Sequence, residues 1–226
     1  MHRRIGMLWL VVAAVLSGAC GGDDGPTQTG GAPEPPIRLG AIFNMTGPNA
    51  TLGQEELAGA EAAVANGWGD ARRLVAMGAS AGGMTALLLL ARRPHLWAAG
   101  IAAYPVVDLE GLAAATHRFE AHYTVGLVGP LPETAALHRA RSPTAVAHHI
   151  SAPLLLLHGS DDEVVPAAQS RDLASVLRAR GAAVEHHEYE GEGHGWRSPA
   201  TVADELDRTD SFLSRHVPPR PADMGR

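Results

Sequence analysis

RLVAMGASAGGMTALLLLARRP, residues 73–94, decides how this chain folds. Its first part, within 72–77, is short, apolar and β-favouring, and reads as a buried strand. GASAGG (Gly78 to Gly83) follows, with Gly78 and Gly82 two residues to either side of Ser80. Small residues there allow a tight, strained strand-to-helix turn in which neighbouring side chains would collide. Residues 81–92 then read as a buried helix, stopped by Pro94. Such an elbow lifts a serine hydroxyl onto a helix N-terminus. There the backbone N–H of Ala81 is a candidate oxyanion donor.

A serine hydroxyl is a poor nucleophile by itself. It needs a base within hydrogen-bond reach and a third group to orient that base. Two later motifs offer them. The apolar run Leu154–Leu157 reads as a buried parallel strand and leads into HGSDDEVVP (His158 to Pro166). Asp162 is the candidate orienting carboxylate there; Asp161 competes with it, and either could instead cap the helix after Pro166. A further strand, 183–189, leads into EGEGHG (Glu190 to Gly195). His194 is the candidate base, on a turn that Gly193 and Gly195 should make mobile. The three candidates follow three successive strands, at the ends where α/β sheets place their sites. The order Ser, Asp, His is that of the α/β-hydrolases.

Residues 70–217 resemble the C-terminal part of the prolyl oligopeptidase family catalytic domain. The matching text is residues 73–94, THRFE (116–120), RSP (141–143), APLLLLHGSDDEVVP and EGEGHGW. The resemblance implies Ser80 as nucleophile, His194 as base and Asp162, three residues before Val165-Pro166, as triad carboxylate. Ala79 stands where that family often has Gly, and Trp196 where it usually has Phe. The implied fold is α/β: an α/β-hydrolase-like, mainly parallel sheet, truncated at its N-terminal side. The implied activity is that of a serine-type peptidase or esterase on peptide or ester bonds. Weak turnover is expected, because the loop that normally gives the second oxyanion donor precedes the matching text.

The front of the chain reads differently. His2, Arg3 and Arg4 precede an apolar run, Met7–Leu16, too short to span a bilayer as a folded helix. Leu16-Ser17-Gly18-Ala19-Cys20 resembles a bacterial lipobox, implying a signal peptide over 1–19 and lipidation of Cys20. The expected product is an exported lipoprotein, held to the cell membrane and facing outside the cytoplasm. Residues 20–36 form a polar linker with no core-forming side chains. Residues 37–69 give a strand (37–43) and a helix (54–65), and resemble the start of a periplasmic branched-chain amino-acid-binding protein. No ligand residue is assigned on so short a piece. A strand–helix–strand unit running into 72–77 would seat strand 37–43 beside the elbow strand. The alternative function is a solute-binding lipoprotein fragment or an inactive fusion product.

Composition narrows the field. At 226 residues, one domain is expected. The net charge is −6 and the basic residues are scattered arginines, which argues against nucleic acid as a partner. With one cysteine there is no intrachain disulfide. The 12 histidines show no ligand spacing, and the adjacent pairs His148-His149 and His186-His187 should point apart as on a strand. No metal and no cofactor is expected; the oligomeric state stays open. Further strands are expected at 98–104 and 154–158, and helices at 133–140, 167–180 and 199–215. Residues 108–132 should be irregular with one short helix, and the tail 218–226 unstructured.

Overall fold

The computed structural model of the chain describes Asp70, residues 72–115 and residues 123–218. The expected strand 37–43, helix 54–65, signal, linker, Cys20 and most of the tail lie outside the described residues, as does the THRFE text.

Among the described residues four parallel strands form a sheet in sequential order: β1 (Val75–Ala79), β2 (Ala99–Ala103), β3 (Leu154–Gly159) and β4 (Val184–Tyr189). The register runs from Val75 opposite Ala99, through Ile101 opposite Leu155, to Leu155 opposite Glu185. Parallel neighbours need crossovers, and helices supply them. The helices are α1 (Ala81–Arg92), α2 (Leu109–Ala115), α3 (Tyr123–Val128), α4 (Ala135–Arg141), α5 (Pro143–Val146), α6 (Ala168–Ala179) and α7 (Pro199–His216). Among the described residues no helix is long and apolar enough to cross a membrane.

Alternation along the strands explains the layers. Ala102, Leu154 and Leu156 join Leu87 and Leu90 of α1 and Leu173 and Leu177 of α6 in one cluster. Ala99, Ile101, Ala103, Leu155 and Leu157 join Phe212 of α7 and Val217 in another. Successive strand residues thus serve opposite faces, and helices cover both. The Leu154–Leu157 run is almost solvent-free because β3 is flanked by β2 and β4 and covered on both sides.

The boundaries shift at informative places. The elbow strand begins at Val75, not 72, because Arg73 donates its N–H back to the Asp70 carbonyl in a turn. It runs past 77 to Ala79, since the Ser80 N–H continues the ladder to the Ala103 carbonyl at 2.9 Å. The stretch expected to be irregular holds two helices, α2 and α3. Asp108 starts α2 by accepting the Glu110 N–H on its side chain, and Ser142 Oγ accepts the Leu109 N–H. The sequence reading also missed α5 and the 3₁₀ turn Ala147–His149. That turn corrects the expectation for His148 and His149. Their rings do not diverge as on a strand but sit 3.9 Å apart, centroid to centroid.

Candidate active site

The elbow is held by steric necessity. A Cβ on Gly78 would lie 2.3 Å from the Gly82 carbonyl oxygen, so only glycine lets the end of β1 pass the start of α1 this closely. Gly82 itself faces open space, which corrects the expectation that both flanking glycines avoid collisions. The second tight contact belongs to Gly83, where a Cβ would lie 2.8 Å from Pro105 Cβ. Between these contacts Ser80 takes φ 55° and ψ −121°, a left-handed conformation costly for any residue with a Cβ. Its N–H bonds the Ala103 carbonyl, and its own carbonyl accepts the Met84 N–H at 3.0 Å. Ala81 is the first residue of α1, so its N–H has no acceptor within the helix.

Asp162 sits on the loop leaving β3. Its Oδ1 accepts the backbone N–H groups of Val164 and Val165, at 2.9 and 2.8 Å. Its Oδ2 lies 2.8 Å from His194 Nδ1 and 3.2 Å from His158 Nε2. Burial alone would push this carboxyl upward. Hydrogen bonds from His158, His194 and the Val165 N–H outweigh that and hold it well below the usual carboxylate range. Asp161 is exposed instead, and its Oδ1 accepts the Ser160 hydroxyl.

His194 reaches Ser80 from the loop after β4, with Nε2 2.8 Å from Ser80 Oγ. Ser80, His194 and Asp162 therefore form one hydrogen-bonded line across three strand ends. The His194 turn is pinned, not mobile as the glycines suggested. Glu192, buried beneath it, accepts the N–H groups of Arg197 and Ser198 at 2.8 and 3.0 Å. The Arg197 N–H first, then the Thr201 hydroxyl and the Ser198 N–H, hold the Glu192 carboxyl below its ordinary value. The Glu192 carbonyl in turn accepts the Asp161 N–H, tying the two loops together. Gly159 permits this approach, because a Cβ there would lie 2.2 Å from the Glu192 carbonyl oxygen. Two rings complete the wall. Tyr104 (φ 37°) packs edge-on against His194 with centroids 4.8 Å apart, and Trp196 packs against Tyr104 while its indole N–H donates to Glu205.

Sequence reasoning missed His158, Glu192, Tyr104 and Glu205 as parts of this site. Only His158 left a signal: an imidazole ending an otherwise apolar strand, four residues before Asp162. Among the described residues no group of histidines, cysteines and carboxylates could hold a metal ion.

The prolyl oligopeptidase family model matches residues 52–219. The chain belongs to that family. The match begins before residue 70 and takes in residues 52–69, which the sequence reading gave to the binding-protein-like segment. Within the family, the chain is 27% identical over 155 residues to the acylamino-acid-releasing enzyme of Sus scrofa, covering 66% of this chain and 21% of that protein. It is 25% identical over 161 residues to dipeptidyl peptidase family member 6 of Caenorhabditis elegans, covering 69% and 22%. A Mycobacterium tuberculosis puromycin-hydrolyzing peptidase superposes with a TM-score of 0.67 and 36% identity, over 71% of this chain and 24% of that one. The chain thus spans between a fifth and a quarter of the length of these proteins. The α/β-hydrolase fold is common to them, and the solute-receptor reading draws no support from the comparisons.

Proposed function

We propose that this chain is a serine hydrolase that cleaves peptide or ester bonds through an acyl-enzyme on Ser80. One observation carries the reading: Ser80 Oγ, His194 and Asp162 Oδ2 are joined by two contacts of 2.8 Å each. In this reaction Ser80 Oγ attacks the substrate carbonyl while His194 Nε2 takes its proton. Asp162 keeps the other imidazole proton on Nδ1 and stabilises the imidazolium that forms. The Ala81 N–H donates to the oxyanion. The imidazolium then protonates the leaving group, and water repeats the sequence to free the acyl part. The names of the relatives favour a peptide-like substrate. A buried apolar cluster of Val106, Leu109, Leu112 and Val165, with Met84 and Val164 against it, adjoins the triad. Val106 donates its N–H to the Ser80 carbonyl, and Val164 and Val165 carry Asp162, so the cluster is fixed to both ends of the site.

A fluorophosphonate probe tests the proposal. Labelling of the wild-type chain at Ser80, lost in Ser80→Ala together with hydrolysis of an activated ester, is the expected result. Leucine-induced thermal stabilisation without labelling would replace this reading with the receptor one. We also propose that the chain is exported and lipid-anchored through Cys20, on the strength of the basic start, the short apolar run and the small residues before that cysteine. Cys20→Ser should move it from the membrane to the soluble fraction; an unprocessed N-terminus in wild-type protein would overturn the idea.

A further inference from the structure

Behind the Ser80, His194 and Asp162 line stands a second histidine with no assigned part. His158 ends β3 and is fully buried. A buried imidazole is costly unless both ring nitrogens find partners. Its Nε2 lies 2.9 Å from the Val165 carbonyl oxygen. A carbonyl only accepts, so Nε2 carries the proton. The same N–H faces Asp162 Oδ2 at 3.2 Å. In the neutral imidazole Nδ1 is then an acceptor, and Ser170 Oγ, on the first turn of α6 and 2.7 Å away, is its donor.

The Asp162 carboxylate thus has four donors, two on each oxygen. Val164 and Val165 N–H hold Oδ1; His158 and His194 share Oδ2. We propose that His158 is a positioning residue, whose Nε2–H fixes the carboxylate plane and sets the charge that Oδ2 presents to His194, with Ser170 holding it in that tautomer. This rests on the reading of Ser80 as nucleophile. Removing the His158 donor leaves three of the four donors and loosens the carboxylate about its last torsion, which is intrinsically broad. It also leaves the Oδ2 charge facing His194 alone.

Other titratable groups near this relay survive the substitution. Tyr104 packs on His194, Glu205 acts electrostatically on Tyr104, and His186 senses His158 from β4. None replaces the lost donor.

The test is a pH profile of kcat and KM on an activated ester, with active sites counted by fluorophosphonate titration. In His158→Leu, kcat per labelled site should fall roughly ten- to hundredfold with KM little changed. The acid limb of kcat/KM should move to higher pH. His158→Gln, whose amide keeps a donor, should recover most of kcat and return the limb. An unchanged kcat per site, an unmoved limb in His158→Leu, or a Gln variant no better than Leu overturns the proposal. Nitrogen NMR of the wild-type protein decides independently of any variant's folding: the Nε2–H tautomer of His158 is expected, and the Nδ1–H tautomer sinks the idea. A wild type that neither labels nor turns over sinks the hydrolase reading as well; one that turns over normally with the variants unmoved sinks the positioning role alone.

Discussion

The elbow at Gly78–Met84 and the paired loops at His158–Pro166 and Glu190–Ser198 bring their residues to the same point by different physics. At the elbow, position comes from excluded volume. The chain bends where glycine permits a 2.3 Å approach that no Cβ would survive, and the ladder of β1 and the first turn of α1 lock Ser80 at φ 55°. In the loops, position comes from hydrogen bonds made by side chains on backbone N–H groups: Asp162 on Val164 and Val165, Glu192 on Arg197 and Ser198. The lesson is that the serine is placed by what is absent from the side chains around it, and the imidazole by charges that must be present. Adding one methyl should damage the first region, and removing one charge the second.

The largest expected effect is in the loops. Asp162→Asn keeps the shape but presents the wrong groups to His194 and should lower kcat by roughly 10⁴-fold, whereas Asp161→Asn should cost less than about threefold. Ester kinetics on both variants gives the ranking, and the reverse order would reassign the orienting carboxylate. The same substitution sharpens the pH dependence of stability. The Asp162 carboxyl is depressed in the folded chain, so its contribution is complete above the unfolded value of about 3.9 and is lost as pH falls through the folded one. Thermal melts should show wild-type stability falling below about pH 4. Asp162→Asn should remove part of that slope.

Next comes the elbow. Gly78→Ala should destabilise the fold by about 1–3 kcal/mol and abolish labelling of Ser80, because the added methyl meets backbone and not a yielding side chain. Denaturant melts and the probe read both. Glu192→Gln, which keeps the shape of the loop support but not its charge, should lower kcat roughly tenfold and leave Ser80 in its strained conformation. A loss of labelling in proportion to unfolding would instead mean that the two regions are not separable. The smallest effect belongs to Gly82→Ala. Open space surrounds that position, so stability should change by less than about 1 kcal/mol. A loss as large as that at Gly78 would show that volume does not decide the elbow.

Much of this could be read from residues alone. Local patterns that depend on chain neighbours came through with small shifts: α1 at 81–92, the leucine strand β3, α6 and α7. Periodicity and punctuation by glycine and proline carry that information, because the forces that make a strand or helix start act over a few residues. Ser80, Asp162 and His194 stood out for the same reason, each in its own short motif at a strand end. The two short helices after Asp108 did not. The start of α2 depends on Ser142, 33 residues further on, accepting the Leu109 N–H, a contact without local signature.

The sequence by itself therefore determined the four strands, the helices α1, α4, α6 and α7, their order, and which three residues carry the candidate chemistry. Tertiary structure alone decided which glycines matter, since Gly78, Gly83 and Gly159 are tight and Gly82 is open only because of what lies across the fold from each. It decided that His194 sits on a pinned turn, through Glu192. It also decided that Asp162 has His158 and Ser170 behind it. Contacts between residues far apart in sequence arise when the sheet assembles, and steric and hydrogen-bond complementarity between those surfaces exists only in the folded chain.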